Sequence, residues 1–329
     1  MAQFGTVFCD EYASVEYLDG AWQQPAMQPM GPIPMHPASH VFHYASTCFE
    51  GFKAYRWEDG RPRIYRLHDH VARMQKSAAS LHLPIPDAGM LVQMVIDLVA
   101  QHADDIPEPP SSLYLRPTLI GTVKNIGAAA APSTEALLFV IASPVGDYFG
   151  AGSSTLKLLV DDQHASTTDQ LGSTKTGGNY AAALGPTLDA KAEFGVDQVL
   201  FCPHGDVQET GAANFILLSD DEVITKPLDS SFLHGITRDS ILKLAADSGY
   251  TVSERNFTVT ELLQLVETYE AALSGTAATL SPVGCLVHNG KEITVRDGSP
   301  GPNTDKLRAA LQAVQSGTAE DKYGWLTAV

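Results

Sequence analysis

Cysteines, long apolar runs and positive charge are all scarce in this 329-residue chain. Its four cysteines (Cys9, Cys48, Cys202 and Cys285) show no Cys-x-x-Cys spacing, which predicts reduced thiols and argues against a zinc framework or a disulfide scaffold. No apolar run approaches the roughly 18 residues that a membrane-spanning helix needs. The acidic first residues lack the basic and apolar segments of a secretory signal. We therefore expect a cytoplasmic protein with no membrane partner.

The shortage of positive charge excludes a second class of partner. The chain has 21 Lys and Arg residues against 38 Asp and Glu residues, which gives a net charge of −17. A surface with this excess of acids repels phosphate backbones, so we expect no nucleic-acid partner. Small soluble molecules are the favoured ligands.

What the chain has in quantity is apolar side chains in alternating β and α patterns. Its hydrophobic content of 44% is enough for two cores of ordinary size. A glycine-rich stretch, "PVGDYFGAGSS", separates two halves that each mix strands and helices. We predict an α/β fold of mixed α+β type with a small N-terminal domain over 1–148, a linker loop over 149–161 and a larger C-terminal domain over 162–329.

Local patterns predict the elements that surround the motifs. Residues 40–56 are rich in aromatic and β-forming residues and predict strands. Asp69 is placed to cap a helix that Pro84 ends. His204 and Gly205 suit the turn of a strand pair. Further helices are predicted at 237–248, 260–267 and 304–316.

One lysine stands out by its setting. In "STKTGGNYAAAL", residues 173–184, Lys175 lies in a run of small residues with two glycines after it. A Walker-type phosphate loop would need its glycines before the lysine, so that interpretation fits poorly. An ordinary solvated lysine is one alternative. The other is a Schiff-base lysine for pyridoxal phosphate, which needs small neighbours so that the cofactor can approach the backbone.

A metal site is a further alternative for the histidine-containing segments. His43, His68 and His70 could supply ring nitrogens, but they have no carboxylate partner at a suitable spacing. We expect no metal.

Several motifs in a fixed order carry a family resemblance over nearly the whole chain. They are "HPASHVFHYASTCFEGFKAY", "RLHDHVARMQKSAASLHLP", "LYLRPTLIGT", "KTGGNYAAAL", "VQETGAANF", "HGITRDSILKLA", "LSGTAATLSPV" and "EDKYGWL". The chain resembles the branched-chain amino acid aminotransferases of class IV, or fold-type IV, pyridoxal-phosphate enzymes. The resemblance implies a two-domain enzyme that transfers the amino group of Leu, Ile or Val to 2-oxoglutarate by ping-pong transamination. It also implies a homodimer as the minimum unit.

The resemblance assigns the cofactor pyridoxal 5'-phosphate to named residues. Lys175 matches the lysine that forms the Schiff base and shuttles the substrate proton, which requires a lowered pKa. Glu209 matches the acid that keeps the pyridine nitrogen protonated. Tyr180 matches the tyrosine that hydrogen-bonds the phenolic oxygen.

A second group of residues would bind the cofactor phosphate. Arg73 matches the phosphate arginine, and its guanidinium fork would reach two phosphate oxygens. Backbone N–H groups of Ile236 and Thr237, at the start of a helix, would bind the same phosphate. The Thr276 hydroxyl would complete this set.

The substrate side is assigned in the same way. Tyr44 and Phe49 match aromatic residues that wall the side-chain pocket, where each buried CH₂ contributes ~0.8 kcal/mol. Tyr114 and Arg116 match the pair used when glutamate is the amino donor. Backbone N–H groups of Thr276 and Ala277 would hold the substrate α-carboxylate.

The chain departs from the family at two places. After "SGTA", some members carry a Cys-x-x-Cys thiol switch, whereas this chain has Ala278, Thr279, Leu280 and Ser281 there, so we expect no redox switch. Ala212 follows the pyridine-binding acid closely, where other members have glycine or threonine, which affects the substrate preference we expect.

Rival functions within and outside the fold can be distinguished by sequence. A D-amino acid aminotransferase or an aminodeoxychorismate lyase would share the cofactor residues but not the combination of "LYLRP", "HGITRDSI" and the "DKYGW" tail. A catalytically silent relative acting as a binding protein would have lost the lysine, and Lys175 is present.

Overall fold

A computed structural model describes residues 4–146 and 155–329, which form two compact units. The first unit contains the described part of Met1–Tyr148, together with Thr174–Gly177 and Ala313–Val329. The second unit contains the described part of Phe149–Ser173, together with Gly178–Gln312. Within the described residues, no helix is both long and apolar enough to cross a membrane.

The first unit is built on a nine-stranded antiparallel sheet in the order β17-β6-β5-β7-β8-β1-β2, with β3 paired to β1 and β4 paired to β7. Its strands are β1 (Glu11–Leu18), β2 (Ala21–Trp22), β3 (Ala26–Pro29), β4 (Thr47–Phe49), β5 (Phe52–Arg56), β6 (Pro62–Tyr65), β7 (Ser112–Gly121), β8 (Ala136–Val145) and β17 (Leu326–Ala328). Its helices are α1 (His40–Tyr44), α2 (Leu67–Ser80) and α3 (Ala88–Gln101).

The core of the first unit lies between this sheet and helices α2 and α3. Strand β8 alternates, so that Leu138 and Val140 are fully buried while Phe139 between them is partly exposed. Helix α3 buries Leu91, Val95 and Leu98, which recur at helical spacing, in the same cluster. The buried side chains of strand β8 and those of helix α3 therefore belong to the same hydrophobic core.

The second unit is built on an eight-stranded mixed sheet in the order β10-β9-β15-β14-β11-β12-β13, with β16 paired to β15. Its strands are β9 (Leu156–Asp161), β10 (Gln198–Phe201), β11 (Asn214–Leu218), β12 (Glu222–Thr225), β13 (Thr251–Glu254), β14 (Glu270–Gly275), β15 (Thr279–His288) and β16 (Lys291–Thr294). Its helices are α4 (Gly177–Phe194), α5 (Ile236–Asp247), α6 (Val259–Leu265) and α7 (Pro302–Ser316).

The sheet of the second unit buries side chains on both faces. Leu200 belongs to one apolar cluster with Val259 and Leu262 of α6, whereas its neighbour Phe201 belongs to another with Ala183 of α4. Successive side chains of a strand point to opposite faces, so both faces are covered.

The structure confirms most predicted elements and corrects some of their boundaries. Helix α2 begins at Leu67, after Arg66 in the left-handed conformation, so Asp69 lies in the first turn and is not the cap we predicted. The β-rich segment 40–56 opens with the short helix α1.

Two further predictions need correction or completion. The tight turn at His204 and Gly205 forms, but β10 and β11 are not neighbours in the sheet; the chain returns from the turn to pair Phe201 with Gln208 and Glu209. In the predicted linker 149–161, residues 149–154 lie outside the described part of the chain, and the end of the range forms strand β9.

Candidate active site

Lys175 is held by the first unit, against strand β4 and helix α2. The Phe49 N–H donates to the Lys175 carbonyl at 3.0 Å, and the Lys175 N–H donates to Ser77 Oγ of α2 at 3.0 Å. The Thr176 hydroxyl donates to the Thr47 carbonyl at 2.7 Å. These bonds fix the backbone on both sides of the lysine, so the direction of its side chain is set by the sheet.

The setting of the Lys175 amine favours its neutral form. Its Nζ lies 5.0 Å from the centre of the Phe49 ring. Although part of the residue stays accessible, the amine lies among enough protein atoms that loss of hydration lowers the pKa of Lys175 to about 8. Nearby Arg73 lowers this pKa further, and Glu50 opposes it. The amine therefore begins to lose its proton near neutral pH, well below the range of an ordinary lysine.

Arg73 of α2 is paired with a buried carboxylate that sequence reasoning did not identify. Its Nε donates to Glu50 Oε1 at 2.6 Å and its Nη2 donates to Glu50 Oε2 at 2.8 Å. Glu50 Oε2 also accepts a hydrogen bond from His70 Nδ1 at 2.6 Å. The signal in the sequence was a lone acid inside the apolar segment "CFEGF", because a buried carboxylate needs partners.

The charges of this cluster follow from its surroundings. Burial by itself would raise the pKa of Glu50, but Arg73 and His70 outweigh it and hold the pKa of Glu50 far below its usual range. Burial lowers the pKa of His70, so that histidine is neutral at neutral pH. An ionised carboxylate can only accept, so His70 Nδ1 carries the hydrogen of their bond.

Two of the three histidines considered for a metal site, His70 and His43, bond other groups. His70 bonds Glu50, and His43 bonds the Pro37 carbonyl at 2.9 Å. Within the described residues, the one group of potential metal ligands is Cys9, His102 and Asp105, in which the His102 ring bonds Asp105 directly at 2.8 Å.

Phe49, Tyr114 and Arg116 come together beside Lys175. Arg116 Nη2 donates to the Tyr114 hydroxyl at 2.8 Å, and the guanidinium carbon lies 4.7 Å from the centre of the Phe49 ring. Positions 114 and 116 are two residues apart, so their side chains lie on the same face of β7. Arg116 Nε is buried and has no acceptor among the described residues. The group thus offers one apolar wall and one buried cationic donor.

Gly51 leaves space for the Tyr114 hydroxyl. A Cβ at position 51 would lie 1.9 Å from that hydroxyl oxygen. The absence of a side chain therefore lets Tyr114 reach Arg116.

Tyr44 makes its contacts in a different part of the first unit. Its hydroxyl donates to the Ile126 carbonyl, and its ring centre lies 4.8 Å from that of His40. In the described part of the chain, these contacts are separate from those of Phe49.

Glu209 is the buried carboxylate of the second unit that the resemblance assigned to the pyridine nitrogen. It is 8% exposed, and its Oε2 accepts from Asn214 Nδ2 at 3.0 Å. The Leu233 N–H donates to Oε1 at 3.4 Å, and Asn214 Nδ2 also donates to the Leu233 carbonyl at 2.9 Å. Asn214, which the sequence analysis did not single out, therefore fixes the orientation of Glu209.

Ile236 and Thr237 begin helix α5, as predicted. The residue before them, Gly235, caps the helix without a side-chain bond, and a Cβ there would lie 1.9 Å from Asn214 Oδ1. The first N–H groups of a helix have no intrahelical acceptor and carry partial positive charge, so this end suits an anion. Asn214 thus packs against the helix start and also holds Glu209.

Three further assigned residues lie on the second unit. Thr276 and Ala277 form the turn between β14 and β15, and both are partly exposed. Tyr180 lies in the first turn of α4 and is also partly exposed. The two units together therefore carry all the residues that the resemblance assigned, each in a defined local setting.

Comparison with known proteins decides the family. Residues 47–284 match the family Amino-transferase class IV. The chain belongs to this family. This class IV aminotransferase is 36% identical over 339 residues to the branched-chain-amino-acid aminotransferase of Mycolicibacterium smegmatis, with 98% of this chain and 91% of the relative covered.

Solved structures of the family have the same fold. The branched-chain amino acid aminotransferase of Escherichia coli superposes with a TM-score of 0.78 at 27% identity, covering 95% of this chain and 98% of that chain. The branched-chain aminotransferase of Thermoproteus uzoniensis, solved with norvaline, gives a TM-score of 0.78 at 25% identity, covering 96% of this chain and 99% of that chain. The expected fold-type IV architecture of this class IV aminotransferase is confirmed.

The residues present fit the cofactor of the class IV aminotransferases. A phosphorylated pyridine aldehyde requires a neutral amine, a phosphate site and an acid for the ring nitrogen. Lys175 offers the amine, since its pKa is lowered to about 8. In the first unit Arg73 carries a guanidinium; in the second unit the start of α5 suits an anion and Glu209 is a buried acid.

Proposed function

We propose that this protein is a branched-chain amino acid transaminase. It converts L-leucine, L-isoleucine or L-valine and 2-oxoglutarate into the branched 2-oxo acid and L-glutamate, in two half-reactions that use pyridoxal 5'-phosphate. The observation that carries the proposal is the buried Lys175 amine beside the Phe49 ring and the Tyr114–Arg116 pair. This group combines a base, an apolar wall and a cationic donor.

Bound pyridoxal phosphate supplies an aldehyde for the amino group and a ring that withdraws electrons from the α-carbon. Arg73, the backbone N–H groups of Ile236 and Thr237, and the Thr276 hydroxyl would bind its phosphate. Glu209 would bind the ring nitrogen and Tyr180 the phenolic oxygen. Asn214 keeps the Glu209 carboxylate oriented, because it already donates to Oε2.

Lys175 performs the proton transfer. Its Nζ, neutral in a sizeable fraction of molecules near pH 8, removes the proton from the α-carbon of the bound amino acid. The backbone N–H groups of Thr276 and Ala277 hold the α-carboxylate during this transfer. The bonds of the Lys175 backbone to Phe49 and Ser77 keep the amine at one position.

One pocket has to accept both an aliphatic and an acidic side chain. Phe49 provides the aromatic wall for leucine, isoleucine and valine, and burial of their methyl groups contributes to binding. Arg116, oriented by the Tyr114 hydroxyl, binds the γ-carboxylate of glutamate. Its buried Nε is one donor that has no acceptor among the described residues.

We place the active unit in the cytoplasm as a homodimer. Support for a second copy comes from the neighbourhood of Tyr44, where Phe42 is 59% exposed and Ile126 is 67% exposed. In the proposed homodimer the second copy covers these two apolar side chains. Light scattering on the purified protein tests this assignment, and a monomer at micromolar concentration would contradict it.

The activity is tested with the purified protein, Lys175→Ala and a matched exposed lysine, Lys191→Ala. The wild type and the Lys191 variant should form 4-methyl-2-oxopentanoate from L-leucine and 2-oxoglutarate, whereas the Lys175 variant should lose roughly 10³-fold or more. Borohydride reduction of the protein loaded with pyridoxal phosphate should attach the cofactor at Lys175, as read by peptide mass. Attachment elsewhere, or activity with D-amino acids alone, would overturn the proposal.

A further inference from the structure

Glu50 is a buried acid to which the proposed chemistry gives no role. It lies between β4 and β5 of the first unit, is 0% exposed and has no surface for a ligand. Both of its oxygens are fully engaged. Oε1 accepts from Arg73 Nε, and Oε2 accepts from Arg73 Nη2, His70 Nδ1 and the Gly51 N–H. Any function of Glu50 must therefore act through these partners.

The pairing with Arg73 is a side-on, two-bond contact. It uses Nε and one hydrogen of Nη2, and so fixes the plane of the guanidinium as well as its position. Two of the five guanidinium N–H groups are committed to Glu50. The two-oxygen contact with phosphate that the sequence suggested must therefore use donors on the other edge of the group.

His70 strengthens the same arrangement from the same helix. His70 and Arg73 are three residues apart on α2, so both side chains leave one face of the helix and meet one carboxylate. An arginine without such a partner would lose several rotatable bonds of freedom on meeting a ligand. With it, that loss is already incurred in the folded chain.

We propose that Glu50 is a positioning residue for phosphate recognition: it holds the Arg73 guanidinium in the one orientation in which its outer edge meets the cofactor phosphate. This inference rests on the proposed binding of that phosphate by Arg73. Together, the Glu50 carboxylate and the Arg73 guanidinium form a pair without net charge near the Lys175 amine. Arg73 lowers the pKa of Lys175, and Glu50 raises it.

The test separates phosphate recognition from folding by comparing two ligands. Apoenzyme is titrated with pyridoxal 5'-phosphate and with pyridoxal, which has the same aldehyde and ring but no phosphate. The dissociation constant of pyridoxal divided by that of pyridoxal 5'-phosphate reports the phosphate contacts, because only the second ligand can make them. Glu50→Gln should reduce this ratio roughly 10- to 100-fold, since it removes charge-assisted bonds to Arg73. Arg73→Ala should reduce it at least as much, and the double variant should lose no more than Arg73→Ala.

A matched control is Glu270→Gln. Glu270 is also buried and hydrogen-bonded, but its partners are the start of α7 and Arg296, all in the second unit. This variant should be less stable and should keep the wild-type ratio. If Glu50→Gln fails to fold by circular dichroism, Glu50→Asp, which keeps the charge and withdraws the carboxylate, should show a partial loss of the ratio.

The outcomes distinguish the inference from the proposed function. A wild type that binds pyridoxal as tightly as pyridoxal phosphate would overturn the phosphate site itself. A ratio that collapses in Arg73→Ala but is unchanged in the folded Glu50 variant would overturn the positioning role and leave the proposed function standing.

Discussion

Each unit buries a carboxylate deeply among hydrogen-bond donors, but the two carboxylates have different kinds of partner. Glu50 in the first unit meets the side chains of Arg73 and His70, close to Lys175. Glu270 in the second unit meets mainly the beginning of helix α7, where it accepts from the backbone N–H groups of Asn303 and Thr304.

The comparison shows that the partners, rather than burial, decide what a carboxylate does. At Glu270, the Thr304 hydroxyl and the Asn303 amide complete a cap for the helix, which satisfies N–H groups that would otherwise have no acceptor. Glu50 satisfies no helix end and orients a cation. The first arrangement stabilises a helix end, and the second fixes the orientation of the Arg73 guanidinium.

Among the substitutions that test this contrast, the largest effect is expected on protein stability when Glu270 is replaced. Replacing it with glutamine should lower the free energy of unfolding by about 3 kcal/mol, because several bonds to a buried charge are lost at once. Urea unfolding followed by circular dichroism measures this. A loss below about 1 kcal/mol would show that the helix cap is not a major source of stability.

A second substitution tests whether the first unit orders side chains for function. Gly51→Ala places a Cβ where the Tyr114 hydroxyl now lies, so Tyr114 has to move away from Arg116. We expect kcat/KM for glutamate to fall roughly 10- to 100-fold, with a smaller fall for leucine, because the hydroxyl orients the cation that glutamate uses. Equal losses for both substrates would contradict a specific role of the pair.

As a control for that substitution, Gly185→Ala lies within helix α4 of the second unit, where an added Cβ meets nothing within 4 Å. Gly185→Ala should leave the ratio of kcat/KM for glutamate to kcat/KM for leucine unchanged.

The pH dependence of cofactor capture tests the electrostatics at Lys175. Its pKa is lowered from the ordinary 10.5 to about 8 by burial and by Arg73, so the neutral amine increases as the pH rises through 8. The rate at which apoenzyme takes up pyridoxal phosphate should increase over that range and level off above it. Stopped-flow absorbance measures this, and a midpoint near 10 would contradict it.

The same pKa shift has a consequence for stability. Between pH 8 and 10.5 the unfolded chain retains a proton on Lys175 that the folded apoenzyme has released. The unfolded state therefore binds more protons, and stability contributed by this group rises with pH in that window. The wild type should show a steeper rise than Lys175→Met, and parallel curves would exclude the shift.

The smallest expected effect is at an exposed ion pair. Lys243 and Asp239 of α5 bond at 2.9 Å, and both side chains are 43% exposed. Lys243→Ala should change the free energy of unfolding by no more than about 0.5 kcal/mol. A change comparable to that at Glu270 would remove the distinction between buried and exposed carboxylates in this protein.

Much of the candidate site could be predicted because its residues occur in continuous motifs. Lys175 stands in "KTGGNY", Glu209 in "VQETG" and Arg116 in "LYLRP", and each was assigned from its own segment. Two residues were missed, Glu50 and Asn214; Asn214 bonds Glu209 five positions away and Leu233 across 19 positions. Glu50 meets Arg73 across 23 positions. No local pattern reports such a pair.

Some boundaries of the helices and strands follow from the local sequence, and others depend on contacts with distant residues. The hairpin of β1 and β2 and the cap of α3 by Asp87 follow local rules. The start of α2 at Leu67 does not, because the Arg66 N–H is bonded to the carbonyl of Trp325 near the end of the chain. A contact across the sequence overrode the local capping preference of Asp69.

The sequence by itself therefore determined the alternation of strands and helices, the family and the residue types of the chemistry, since each depends on neighbours within about 20 positions. Tertiary structure alone decided that Lys175 is placed by strand β4 and helix α2, that its amine is partly neutral, and that Arg73 is held by Glu50. These properties depend on desolvation and on charges a few ångströms apart, which exist only after distant segments have packed together.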